Sequence, residues 1–281
     1  MTSLTIPARP GGTAARGRPV ALARTLRSEF TKIRSVRSTY WSAFILVVVS
    51  LGWCIAFCAG EASRWPHLTA QDRAGFDPTQ SSIIGVALLG QLVIAVLGTL
   101  TITSEYSTGM IRTSLSVMPR RGVLFGAKAA VFTAVTLVIA LAASFASFFL
   151  GQALLTSTHA GAALTQPGVL RAVLASAVFV ALCGLFAFGL GAILRSTAGA
   201  ITAAFGLLFL VPQLARALPS AWYADLIRWL PGADVVAVIT GTASQDNPPH
   251  LFSVWGEFAV FGGYTAIFLI VGAALFSRRD A

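Results

Sequence analysis

Residues 104–121, SEYSTGMIRTSLSVMPRR, form the segment of this 281-residue chain whose side chains could do chemistry. The segment carries one carboxylate, several hydroxyl groups and three arginines, and it ends a run of 27 residues (78–104) without a charge. A guanidinium group offers up to about five hydrogen-bond donors to a carboxylate-lined surface. One role that these residue types allow is contact with the surface of a partner protein.

The spacing within this segment predicts a two-faced helix over residues 105–118, at about 100° per residue. The polar face is predicted to comprise Thr108, Gly109, Arg112, Thr113 and Ser116. Glu105 falls in the first turn of this helix, where the positive end of the helix dipole favours an acid. The alternative interpretation is a solvated basic loop that connects two apolar segments.

The sequence lacks the motifs that would make this chain an enzyme. No run matches GxxxxGK[ST], so the chain has no phosphate-binding loop, and neither HExxH nor GxSxG occurs. The three histidines fall in separate predicted loops, and the three cysteines lie inside apolar runs, where they are interpreted as small hydrophobic residues. We therefore predict no catalytic, metal or cofactor site in this chain.

Composition indicates a membrane protein. The chain is 56% hydrophobic and 11% charged, with a mean hydropathy of +0.79, whereas a soluble domain carries about 25% charged residues. The basic residues cluster at the ends of apolar runs, so the net charge of +10 indicates a membrane and not nucleic acid. Runs of about 20 apolar residues predict six spans, at residues 40–60, 81–103, 128–152, 171–194, 197–217 and 256–277. The predicted fold class is an all-α polytopic membrane protein.

The distribution of basic residues predicts the orientation. Fifteen of the twenty lysines and arginines fall on the side that holds both termini and residues 104–128. The positive-inside rule then places both termini in the cytoplasm of a multi-pass plasma-membrane protein. Residues 1–18 are predicted to be a disordered basic tail before one domain at 19–281. No charged residue lies at the centre of a predicted span, which argues against an ion-coupled carrier.

Residues 19–38 predict a second amphipathic helix. Its apolar side comprises Leu22, Leu26, Phe30, Ile33 and Val36, and its flanks carry Arg24, Arg27, Lys32 and Arg34. Such a helix is expected to lie on the membrane with its apolar face in lipid, so membrane lipids are predicted partners. Glu29 is an exception at the edge of the apolar stripe, with Lys32 one turn on. The alternative is a plain membrane-surface anchor.

Small residues occur four apart in the fourth predicted span, at Ala187 and Gly191. This spacing allows close helix approach in a membrane. The pair predicts either an interface with a second copy or ordinary packing within one chain.

Two segments, SEFTKIRSVRSTYW (28–41) and TSEYSTGMIRTSLSVMPRR (103–121), resemble hallmarks of ABC-2-type transporter permeases, particularly those of high-GC Gram-positive bacteria. The resemblance implies a connecting helix at 19–38, which carries Glu29, Lys32 and Arg34, and a cytoplasmic coupling helix at 105–118. It also implies short outer helices at 220–241 before the sixth span. Such permeases pair with an identical copy or a paralogue and dock two separate ATP-binding subunits, which hold ATP and Mg²⁺.

The sequence thus favours the membrane subunit of an ABC exporter. A pathway without fixed charges suits an amphipathic, lipid-like or antibiotic substrate. The alternative is a stand-alone six-span protein, either an ion-independent carrier or an immunity or scaffold protein that sequesters a partner.

Overall fold

The computed structural model describes residues 17–110, 121–158, 160–215, 217–219, 222–223, 226, 229–230 and 254–278. Within these ranges the regular structure is helical, and no strand occurs. The helices are α1 (Gly17–Ser35), α2 (Arg37–Arg64), α3 (Ala70–Ala74), α4 (Pro78–Gly85), α5 (Gln91–Ser107), α6 (Arg121–Leu155), α7 (Val169–Leu194), α8 (Thr197–Phe205), α9 (Val211–Ala215) and α10 (Val254–Arg278). A π-helical turn at Val86–Gly90 joins α4 to α5, and another at Gly206–Leu210 joins α8 to α9.

Among the described residues, six helical segments are long and apolar enough to cross a membrane, which confirms the predicted number. They are Arg37–His67, Pro78–Ser107, Arg121–Thr158, Val169–Leu194, Thr197–Ala215 and Trp255–Arg278. The first three extend beyond the predicted spans at both ends. Helix α6 has 35 residues and is about 52 Å long at 1.5 Å per residue. Since a hydrocarbon core is about 30 Å thick, its ends reach beyond the apolar region that the sequence marks.

Contacts between helix ends show that the second and third spans run antiparallel. Glu105, near the end of α5, contacts Lys128, near the start of α6. This end of the bundle also holds α1 and is called the α1 end below. At the opposite end, the side-chain amide of Gln152 in α6 donates to the carbonyl of Pro78, at the start of α4, at 3.2 Å.

Helix α7 lies at the centre of the described bundle and packs against α5, α6 and α10. The closest approach to α5 occurs at glycines on both helices. A Cβ on Gly98 would overlap the carbonyl oxygen of Gly184, and a Cβ on Gly184 would lie 2.5 Å from Ile94 Cγ2. Small residues allow this approach, which matters in a membrane because van der Waals contact is a main source of helix association there.

Ala187 and Gly191 also pack on α5 of the same chain. Ala187 is fully buried, and its carbonyl accepts a hydrogen bond from Thr99 Oγ1 at 3.5 Å. A Cβ on Gly191 would lie 2.6 Å from Ile102 Cγ2. Of the two interpretations of this pair, packing within one chain is the one that the structure shows. An interface with a second copy at this pair stays a prediction.

We expect Gly98→Ala to lower the free energy of unfolding of the detergent-solubilised protein by about 1–3 kcal/mol, since the added methyl group overpacks a tight backbone contact. Gly262→Ala in α10 is the matched control, because a Cβ at Gly262 meets no atom within 4 Å. Thermal unfolding followed by tryptophan fluorescence compares the two variants. Equal stability of the two would contradict the close packing of α5 on α7.

Two spans contain a π-helical turn, and the turn in the fifth span has a local physical cause. The turn in the fifth span precedes Pro212, whose ring has no N–H and crowds the carbonyl four residues earlier. The turn in the second span ends at Gly90, where a Cβ would lie 2.6 Å from Leu46 Cδ1 of α2. Insertions of this kind bend a helix locally.

Two predicted segments fall mainly outside the described residues. Of the predicted tail at 1–18, only residues 17 and 18 are described. The short outer helices predicted at 220–241 are described at a few positions only. Both therefore stay predictions.

A buried ionic cluster as the candidate coupling site

Four charged side chains from three helices meet at the α1 end. They are Glu29 and Lys32 of α1, Glu105 of α5 and Lys128 of α6, and they are called the ionic cluster below. Lys128 Nζ lies 2.6 Å from Glu29 Oε2 and 2.7 Å from Glu105 Oε1. Lys32 Nζ lies 2.8 Å from Glu29 Oε1 and 3.4 Å from Glu105 Oε1. Two carboxylates and two ammonium groups make the ionic cluster neutral as a whole.

The ionic cluster is buried except at one member. The exposed fraction of the side chain is 1% for Glu29, 3% for Lys128 and 7% for Glu105, but 33% for Lys32. Charges withdrawn from water lose several kcal/mol of hydration each, and their mutual attraction offsets this only in good geometry. Removing one buried member would leave an uncompensated charge. The ionic cluster therefore favours one relative arrangement of α1, α5 and α6.

Two members of the ionic cluster lie on α1, outside the candidate spans, and keep their charges at neutral pH. Burial raises the pKa of Glu29, but the ion pairs with Lys128 and Lys32 outweigh this, and the pKa lies below its ordinary value. Burial lowers the pKa of Lys32, but contacts with Glu29 and Glu105 outweigh it, and the pKa lies above its ordinary value. The contribution of Glu29 is lost only as pH falls through its lowered pKa, and that of Lys32 only as pH rises through its raised pKa. Neither group makes the ionic cluster a proton switch near neutrality.

Glu105 lies in the last turn of α5, so the prediction that it starts a following helix is wrong. Helix α5 ends at Ser107, and Gly109 has a φ of +69°. A left-handed glycine just after the last turn is a common helix terminus, and it interrupts the predicted helix at its fifth residue. An acid at this end meets the negative pole of the helix dipole. Lys128 and Lys32 supply the compensation that the dipole was expected to give.

The other residues of the predicted coupling helix are only partly described. Thr108 and Gly109 are exposed just beyond α5. Arg112, Thr113 and Ser116 lie outside the described residues. Their arrangement on one polar face stays a prediction.

Helix α1 occupies the predicted position, but its apolar stripe packs against the protein and not wholly in lipid. Ile33 is buried in the main hydrophobic core, and Leu26 packs against that core. The ion pair between Glu29 and Lys128 accounts for the difference, because it turns this side of α1 toward α6. Arg34, predicted on a flank, is exposed.

Tyr106, the residue after Glu105, brings the end of α5 into contact with two more helices. The guanidinium of Arg195, directly after α7, lies 4.8 Å from the ring centroid of Tyr106. The ring of Phe276, near the end of α10, lies edge-on to Tyr106 with centroids 6.4 Å apart. The last turn of α5 therefore contacts elements from α1, α6, α7 and α10. A displacement of this turn would reach most of the α1 end.

Lys128 is the site residue that sequence reasoning missed, since it counted only as a basic residue at the start of a span. One feature of the sequence could have identified Lys128: acids are scarce on the predicted cytoplasmic side, where most of the basic residues lie. Of the ten acids, only Glu29, Glu105 and Asp280 fall in segments that were predicted to be cytoplasmic. An acid close to an apolar segment is expected to have a basic partner, and Lys128 borders the apolar run of the third span.

Within the described residues, no three metal-ligating side chains come together. The fold and the site define a polytopic helical membrane protein whose ionic contacts join helix ends on one side. A family model described as ABC-2 family transporter protein matches residues 61–281, and the chain belongs to this family of transport membrane components. Comparison with curated proteins gave no match. The family match includes Glu105 and Lys128 but begins after Glu29 and Lys32.

Proposed function

We propose that this chain is the permease subunit of an ABC exporter, driven by a separate ATP-binding subunit and paired with a second permease copy. Membership in the ABC-2 family supports the transport role, and the lack of a phosphate-binding loop in the sequence supports an ATPase on another chain. The observation that carries the proposal is the ionic cluster. It ties α1 to the helix ends on either side of residues 108–120, the segment proposed to dock the ATPase.

The ionic cluster supports a specific route for the motion. Residues 108–120 connect the end of α5 to the start of α6. When the ATPase docks on this segment, its movement is therefore passed to both helix ends. Because the ammonium group of Lys128 is bonded to both Glu29 and Glu105, α1 and both spans move as one body. ATP acts through its different affinity for two arrangements of the assembly, so the mechanism is a population shift.

The substrate proposed for this path is amphipathic, lipid-like or antibiotic-like. The charged groups of the ionic cluster lie at the α1 end, and polar groups deeper in the spans are hydroxyls and amides such as Gln91 and Thr136, both buried. A charged substrate would lose its hydration along such a path without meeting a fixed charge of opposite sign. A substrate with a large apolar part avoids this penalty.

The proposal is tested by purifying the affinity-tagged permease from its native membrane in mild detergent. We expect an ATP-binding subunit with Walker motifs to co-purify, and the complex to hydrolyse ATP. Recovery of the permease without any ATPase would contradict the proposal. Substrate movement by the permease alone in liposomes would instead support the stand-alone carrier.

The proposed orientation places both termini and residues 104–128 in the cytoplasm of the plasma membrane. In a variant without the native cysteines, we expect Ser63→Cys to react with a membrane-impermeant maleimide on intact cells. Ser107→Cys should react only after permeabilisation. Both side chains are exposed, and they lie at opposite ends of the bundle. Labelling of Ser107→Cys on intact cells would reverse the orientation.

A further inference from the structure

Helix α1 separates its charges between two faces. Arg24, Arg27 and Arg34 are exposed and lie roughly opposite Glu29 around the helix, at about 100° per residue. Arg37, also exposed, starts α2. In the part of the chain that the structure describes, no acid pairs with these four arginines, because the nearby carboxylates of the ionic cluster bind Lys32 and Lys128. The outward side of α1 is therefore a stripe of uncompensated positive charge.

Large exposed apolar side chains adjoin this stripe. Phe30 is 48% exposed, Tyr40 58% and Trp41 60%. Trp41 stacks edge-on against Phe44, with ring centroids 6.0 Å apart, and the exposed row continues along α2 through Phe44 and Ile45. The arginines thus stand beside aromatic rings at the point where a span begins. Aromatic residues at this position are typical of the membrane interface.

We propose that this surface, comprising Arg24, Arg27, Phe30, Arg34, Arg37, Tyr40 and Trp41 and called the arginine surface below, binds the headgroups of anionic phospholipids. Guanidinium groups bind phosphate with paired hydrogen bonds. The exposed aromatic row fits lipid better than an acidic protein surface, since it runs without interruption into the exposed side of the first span. Charge complementarity and this continuity together identify the occupant.

Lipid on the arginine surface has a structural consequence for the bundle. The opposite side of α1 carries Glu29, whose carboxylate is bonded to Lys128 of α6. Headgroups that hold the outward side at the membrane therefore hold α1 against α6 as well. Anionic lipid stabilises the α1 end of the permease itself, with or without an ATPase. The inference thus stands apart from the proposed function, and its main test uses the permease alone.

The test measures the melting temperature of the purified full-length permease in nanodiscs of phosphatidylcholine, with and without added phosphatidylglycerol. We expect phosphatidylglycerol to raise the melting temperature of the wild type. The double variant Arg27→Gln/Arg34→Gln should lose about half of that rise or more, because two of the four arginines that attract the anionic surface are gone. The charge-matched control, Arg64→Gln/Arg171→Gln, removes two exposed arginines at the opposite end and should keep the full rise.

Sodium chloride supplies a second measurement that needs no substitution. Raising it from 0.1 to 1 M shortens the screening length from about 10 to about 3 Å, so the rise in melting temperature that phosphatidylglycerol causes in the wild type should shrink.

An equal rise in melting temperature in both double variants, or a rise insensitive to salt, would overturn the proposal. A rise reproduced by inorganic phosphate at matched ionic strength would instead indicate a free-anion site. Loss of ATPase recovery in Arg27→Gln/Arg34→Gln with an unchanged lipid response would reassign the surface to protein docking.

Discussion

Lys128→Met is expected to destabilise the purified permease by about 3–5 kcal/mol, the usual cost of breaking a buried ion pair from one side. Methionine keeps much of the length of the side chain but removes the charge that lies 2.6 Å from Glu29 and 2.7 Å from Glu105. Both carboxylates then stay buried beside each other, with Lys32 as their remaining partner in the ionic cluster. Thermal unfolding in nanodiscs of one composition, at neutral pH, measures the loss.

Two variants separate the effect of charge from that of packing. Lys32→Met removes the same charge from a side chain that is 33% exposed, so we expect a smaller loss. Adding Glu29→Gln and Glu105→Gln to Lys128→Met removes the uncompensated carboxylates, and part of the stability should return, since a buried neutral amide costs less than a buried unpaired charge. If Lys128→Met and Lys32→Met unfold at the same temperature, the ionic cluster does not have the geometry described here.

The triple variant also addresses function. Its helices keep their apolar contacts, but the ionic contacts that join α1, α5 and α6 are gone. Under the proposed mechanism it should still bind the ATPase, because residues 108–120 are unchanged, whereas ATP hydrolysis should couple less well to movement of the spans. Comparing ATPase recovery with permease-dependent stimulation of hydrolysis would separate docking from transmission.

The number of spans was predictable because it depends on a local property. A hydrocarbon core requires about 20 apolar residues in a row, and a charge-free run such as 172–194 satisfies this wherever the helix packs. The helix ends were less predictable. Helix α6 begins at Arg121, seven residues before the predicted start of its span, because a helix continues through polar residues once its hydrogen bonds are established.

The partners in the ionic cluster were not predictable from the sequence, because they depend on which helices pack together. Glu29 and Lys128 are 99 residues apart, and Glu105 and Lys128 are 23 apart. Periodicity gives the direction of a side chain around its own helix but not the neighbour that it meets. The sequence placed Glu29 at the edge of the apolar stripe of α1, and the structure shows that this edge faces α6.

The structural roles of two glycines were also ambiguous in the sequence. In the predicted coupling helix, Gly109 was taken as a residue inside the helix, whereas the structure gives it a left-handed backbone that ends α5. At Gly191 the spacing allowed either an interface or internal packing, and Ile102 of the same chain occupies the adjacent space. In both cases a missing side chain permits two structures, and only the surrounding contacts decide between them.

Arg112→Ala is expected to reduce recovery of the ATP-binding subunit, while the permease still inserts and folds. If residues 108–120 dock the ATPase as proposed, we expect Arg112 to bind a carboxylate of that subunit, and truncating a hydrogen-bonded charge at an interface costs about 2–5 kcal/mol. A loss of 2 kcal/mol corresponds to roughly 30-fold weaker binding. The measurement is the amount of ATPase that co-purifies per permease at equal membrane abundance, together with ATP hydrolysis by the purified complex.

Arg121→Ala is the matched control, since it removes the same charge from the other end of the segment. The guanidinium of Arg121 donates to the carbonyl of Ser277 at 3.4 Å, so it acts within the chain, and ATPase recovery should stay close to that of the wild type. Glu105→Gln further separates docking of the ATPase from stabilisation of the permease. It should lower the melting temperature of the permease through the ionic cluster and leave docking less affected than Arg112→Ala does. Equal recovery and equal hydrolysis in Arg112→Ala and the wild type would mean that residues 108–120 only connect two spans, and the force of the ATPase would have to enter elsewhere.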